Sequence, residues 1–163
     1  MRVVSDTSPL SNLAIIGRLP LIFEQFGAVS VPEAVSIELA RLPHRMGQRA
    51  LAESRDNGFL NVVAIRDRTA ADLLSTHLDR GEAEAIALAT GLKADWLLID
   101  ERAGRIFARR IGLRITGVLG ILIRAKIKGR IPLVKPELQA LRSEARFFIG
   151  NDLERGVLAA AGE

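Results

Sequence analysis

A chain of 163 residues, 48% of them hydrophobic and with a mean hydropathy of +0.20, is long enough to bury one substantial core. The lack of cysteine excludes disulfides, thiolate zinc sites and cysteine nucleophiles, and it fits a reducing, cytoplasmic setting. A formal charge of +4, from 23 Lys and Arg against 19 Asp and Glu, favours polyanions without demanding them; no stretch reads as a secretion signal or a membrane span, so a soluble protein is expected.

Val3 and Val4 begin a first strand that runs into Asp6. Asp6, Thr7 and Ser8 precede Pro9, an arrangement that commonly caps a helix, here expected over residues 9–16. A second strand over residues 29–31 leads into Pro32 and a helix over 32–40, where Glu38 lies beside Val35 and Leu39. By pattern alone a glutamate there is a solvated residue or an i,i+4 partner. A helix over 47–57, an extended run over 61–65 and a helix over 69–77 follow.

Residues 78–81 then introduce a helix over 81–90 that carries two acids in its first turns, Glu82 and Glu84. They stand about 200° apart around the helix, so only one faces a given cleft. Glu82 shares its face with Ile86 and Ala89, the side expected to meet the sheet, although the helix dipole favours a carboxylate there in any case. The apolar run 96–99 ends at Asp100, which itself reads as a cap for a helix over 101–111. A weaker strand over 114–116, a helix over 118–127 and a tail with helices over 137–143 and near 153–161 complete the chain.

Strands alternating with helices predict an α/β fold, a three-layer α/β/α sandwich around a central, mostly parallel sheet with a helical C-terminal tail. No linker or repeat divides residues 1–163, so one domain is expected, with a core over 1–132 and an extension over 133–163 that caps it or pairs with another subunit. Asp6 and Asp100 would both lie at strand carboxyl ends, where open α/β sheets form their binding crevices. Carboxylates gathered in one cleft need a cation or protons between them, so Asp6, Glu38, Glu82 and Asp100 together suggest metal-assisted chemistry on a phosphate backbone. Arg102, Arg105, Arg109 and Arg110 form one cationic cluster, and Arg124, Lys126, Lys128 and Arg130 another; either suits a solvated helix face as well as a polyanion. His44 and His77 read as surface residues, and an aromatic content of 4% makes a base-stacking platform unexpected.

The segments VVSDTSPLSNL, VPEAVSIEL, LDRGEAEAIALA and WLLIDERAGRIFA, in this order across residues 3–128, together resemble the PIN-domain nucleases, VapC-like toxins and related PIN-like proteins among them. The resemblance implies a catalytic quartet of Asp6, Glu38, Glu82 and Asp100. It implies Mg²⁺ or Mn²⁺ held by Asp6, Asp100 and Glu82, with Glu84 as the alternative, and an activated water that hydrolyses RNA. It further implies a small antitoxin partner and a homodimer. Ser8 and Arg105 become candidate substrate contacts, against capping for Ser8 and an ion pair with Glu101 for Arg105. Two departures stand out: many such nucleases carry Asp where this chain offers Glu82 and Glu84, and Leu98 replaces the usual Thr or Ser two residues before the last Asp. Besides a toxin-type ribonuclease, the residues leave open a PIN-like RNA-binding protein with weak or lost cleavage. A third reading is a phosphatase with Asp6 as nucleophile, against which Ser8 stands where a second Asp would be needed.

Overall fold

The computed structural model describes residues 1–163. Its element order is β1 (Val3–Ser5), α1 (Thr7–Ile15), α2 (Pro20–Phe26), β2 (Val29–Val31), α3 (Glu33–Ala40), α4 (Arg45–Asp56), β3 (Leu60–Val62), α5 (Arg68–Leu74), α6 (Arg80–Leu92), β4 (Trp96–Leu98), α7 (Arg102–Arg110), β5 (Ile115–Thr116), α8 (Val118–Ile127), α9 (Lys135–Ser143) and α10 (Asn151–Ala160). The five strands form one sheet in the order β3-β2-β1-β4-β5, and every pairing is parallel. All five expected strands are present, the run over 61–65 as the shorter strand β3.

Strand order determines where a crevice opens. The chain steps outward from β1 through β2 to β3, then returns to the other side of β1 as β4 and moves outward again to β5. Helices leaving β1 and β4 therefore diverge, and the gap between them lies over the carboxyl ends of those two strands. Their register aligns Val3, Val4 and Ser5 with Trp96, Leu97 and Leu98, and the N–H of Asp6 donates to the carbonyl of Leu98 at 2.9 Å.

Alternation along the strands supplies two cores. Val3, Val29, Val31, Leu60 and Leu98 face a cluster of 26 buried residues built with α1 to α4 and α8 to α10, whereas Val4, Leu97 and Ile99 face a cluster of 8 built on α6 and α7. The larger cluster includes Leu138 and Leu141 of α9, Ile149, Val157 and Ala161, so the C-terminal extension caps its own chain. Arg18 clamps it from the other side, with Nε and Nη2 donating to the carboxylate of the buried Glu137 at 2.8–3.1 Å.

Helix α2 has no counterpart among the expected elements. Its signals are present: Pro20 sits in the first turn, where its missing N–H costs nothing, and Gly27 ends the helix with a φ of 72°. Two turns are too short for a periodic pattern to stand out, and burial of Leu21, Ile22 and Phe26 sustains the helix.

Because Leu138 is fully buried in the larger core, Leu138→Ala should lower unfolding stability by about 2–5 kcal/mol in urea denaturation. Limited proteolysis of that variant should cut first beyond α8, and an unchanged digestion pattern would contradict a cooperative role for the extension.

Candidate active site

Asp6 and Asp100 follow the carboxyl ends of the paired strands β1 and β4, in different surroundings. Asp6 is 4% exposed, and its side chain makes no capping hydrogen bond to α1. Burial pushes its carboxyl up to about 8; the Thr7 N–H offsets part of that, and the nearby Asp79, Glu82 and Glu38 carboxylates add to it. Asp100 lies inside a hydrogen-bonded frame instead. Its Oδ1 accepts from the N–H of Val118 in the first turn of α8 at 2.8 Å, and its Oδ2 accepts from Ser8 Oγ at 2.9 Å. Asn12 Nδ2 in turn donates to Ser8 Oγ at 2.9 Å. Burial raises the Asp100 carboxyl above its ordinary range despite those donors and the neighbouring Arg105.

The two glutamates of α6 diverge, as 200° of rotation about the helix requires. Glu82 closes a capping box with Asp79: its N–H donates to Asp79 Oδ1 at 2.8 Å, and Glu82 Oε2 accepts from the Asp79 N–H at 3.3 Å. Its Oε1 is buried with no hydrogen-bond partner, and burial, reinforced by Asp79, pushes the carboxyl up to about 7. Glu84 is fully partnered. Its Oε1 accepts from Arg68 at 3.0 Å and Arg80 at 3.2 Å, and its Oε2 accepts from the N–H of Ala34 at 2.9 Å. Burial favours the neutral acid, yet the Ala34 N–H and the two guanidinium groups outweigh it and hold the carboxyl below its ordinary range. Glu84 thereby ties α3, α5 and α6 together.

Glu38 is exposed on α3; its Oε2 accepts from Thr7 Oγ1 at 2.5 Å, and its carboxylate lies against Gly81. Asp79, Glu82 and Glu38 thus act electrostatically on Asp6, but no three acidic side chains converge as a closed metal cage.

Two glycines unremarked in the sequence allow this closeness. A Cβ on Gly117 would collide with Asp100 Oδ1 and stand 3.0 Å from the Ile99 carbonyl oxygen, so only glycine lets α8 begin against that carboxylate. A Cβ on Gly104 would lie 2.6 Å from Ile99 Cδ1 and 3.0 Å from the partnerless Glu82 Oε1. Asn12 and Asp79 also escaped the sequence reading. The spacing Asp79-x-x-Glu82 was the available signal for one, and Asn12 one helical turn after Ser8 for the other.

Arg105 does not pair with Glu101; its Nη1 donates to the Ile99 carbonyl at 2.7 Å, and burial lowers its guanidinium affinity for protons. Three of the four cations in the second cluster have partners: Arg124 lies over Phe26 and Trp96, Lys126 pairs with Glu163 and Arg130 with Glu24, while Lys128 is exposed. His44 caps α4, its Nδ1 accepting from the Gly47 N–H, and His77 is exposed.

A PIN-domain family model matches residues 2–163, nearly the whole chain. The chain belongs to the PIN-domain family. No curated protein matches it. The family places this crevice in a nuclease-type fold. Within this PIN domain, Leu98 contributes only a buried side chain and a backbone carbonyl, and the hydroxyl on Asp100 comes from Ser8. The carboxylates of Asp6, Glu82 and Asp100 are hard oxygens of the kind that suit a divalent cation, and Glu82 Oε1 is a buried acceptor without a donor.

Two expectations follow. Gly117→Ala should cost about 1–3 kcal/mol of stability, because Asp100 or the start of α8 must shift, whereas Gly91→Ala, facing open space, should not. Asp6 stabilises the fold fully only below its ordinary value near 3.8, and that contribution is lost as pH rises through about 8. In EDTA, Asp6→Asn should therefore match the wild type near pH 4 and exceed it by at least about 2 kcal/mol by pH 9. Parallel stability–pH curves for the two proteins would contradict the buried, raised carboxyl.

Proposed function

We propose that this PIN domain is a metal-dependent endoribonuclease, the toxin component of a toxin–antitoxin pair. The observation that carries the reading is the buried, partnerless Glu82 Oε1 next to Asp6, whose carboxyl is pushed up to about 8. Desolvated carboxylates without a cation store unfavourable energy, and a site that selects for them has use for positive charge.

In this reading Asp6, Asp100 and Glu82 would hold Mg²⁺ or Mn²⁺, and Glu84 is structural. Such an ion would supply Lewis acidity for water activation and for the charge on the scissile phosphate. Ser8, fixed by Asn12, orients Asp100 rather than touching substrate. Glu38, exposed beside Thr7, accepts the proton of the attacking water, and the free donors of Arg105 face the phosphate. An antitoxin that occupies the crevice and a homodimer complete the proposal on the strength of family resemblance.

A PIN-like RNA-binding protein with little cleavage is the second reading; the spread of the carboxylates around the crevice favours it. One assay separates the two. Purified protein with structured and single-stranded RNA should cleave with Mg²⁺ or Mn²⁺ and stop with EDTA, and Asp6→Asn and Glu82→Gln should each lose about 100-fold or more. Glu84→Gln should retain the cleavage chemistry while losing about 1–3 kcal/mol of stability. RNA binding without cleavage supports the second reading, and cleavage that survives both EDTA and Asp6→Asn refutes the metal mechanism.

A further inference from the structure

The C-terminal extension also forms a wall of the crevice. Two cavities, of about 560 and 340 Å³, meet at Asp100: the first opens past Ser8, Asn12 and Arg102, the second past Arg105 and Gly117. Phe147 and Phe148 line both, and Arg146 lines the larger.

Phe148 is 89% exposed, the most exposed large hydrophobic residue of the chain. Its neighbours on either side are anchored. The Phe147 N–H donates to the Leu141 carbonyl at 2.9 Å while its ring packs on the larger core, and Ile149 is 5% exposed with its carbonyl accepting from Arg142 Nη2 at 2.8 Å. Arg146 adopts a left-handed backbone, φ 53°, immediately before them. The Phe148 ring is therefore held out in water by a fixed backbone, with Arg146 beside it and a catalytic-candidate carboxylate in the adjoining cavities.

We infer that Phe148 stacks on an unpaired nucleobase and Arg146 binds the phosphate backbone of the same strand, making this rim the element that selects single-stranded RNA. The inference rests on the nuclease reading above and adds to it two substrate contacts on the C-terminal extension. A ring with only two χ angles on an anchored backbone gives a base a π-face at a small ordering cost, and the flanking Arg146 and Arg102 suit a polyanion better than an apolar peptide. The low aromatic content argued against a stacking platform of several rings; a single ring placed at the crevice meets the need.

The test is equilibrium binding in EDTA, by fluorescence anisotropy, of a single-stranded oligoribonucleotide of roughly a dozen nucleotides and of versions with one abasic position each. Phe148→Ala should bind about 5- to 150-fold more weakly, and Phe148→Trp should restore binding with quenching of the introduced indole. One abasic position should weaken the wild type yet leave Phe148→Ala unchanged, and Arg146→Ala should lower the salt dependence by about one phosphate contact. If the wild type binds and cleaves RNA and Phe148→Ala binds equally well, the stacking role is overturned and the nuclease stands. If Phe148→Ala alters only the capture of a protein partner, the ring serves protein docking and the inference is overturned. If the wild type neither binds nor cleaves RNA, the nuclease reading fails and this inference fails with it.

Discussion

The parallel pairing of β1 with β4 at the centre of the sheet is the constraint from which the site follows. It places Ser5 level with Leu98 and locks the Asp6 N–H onto the Leu98 carbonyl, so the two chain segments that end in aspartate emerge side by side. Because the strand order reverses at this pair, the helices that follow the two strands pack on opposite faces of the sheet. Both carboxyl groups are buried there, and burial opposes the ionisation of each.

Helices α6, α7 and α8 complete that crevice by approaching with their N-terminal halves. Gly117 admits the start of α8 to Asp100, and Gly104 admits α7 to Glu82. Partially positive helix starts favour carboxylates, yet the donors are unevenly shared. Asp100 has a backbone N–H and a serine hydroxyl; Glu82 keeps one oxygen with none. That inequality distinguishes an acid used to hold the fold, as Glu84 is by Arg68 and Arg80, from one left with unspent binding capacity.

Much of this was legible in the residues. Strand candidates ending at Asp6 and Asp100 were visible as apolar runs followed by an acid, and the rotation between Glu82 and Glu84 already implied that they face different surroundings. The face shared with Ile86 and Ala89 favoured Glu82, but the partners of Glu84 were not legible, because Arg68 and Ala34 reach it from elements 16 and 50 residues away in the chain. Helix α2 was missed because two turns carry too weak a period, and Asn12, Gly104 and Gly117 were missed because their importance is a matter of distance to groups far along the chain.

Local pattern by itself determined the alternation of strands and helices, the parallel α/β class and the order of acidic motifs, since propensity, capping and hydrophobic period act over a few residues. Tertiary structure alone decided the strand order, the burial that raises Asp6 and Glu82, the commitment of Glu84 to ion pairs and the docking of the extension that carries Phe148 to the crevice. These depend on desolvation and on contacts between distant segments, which exist only once the whole chain has packed.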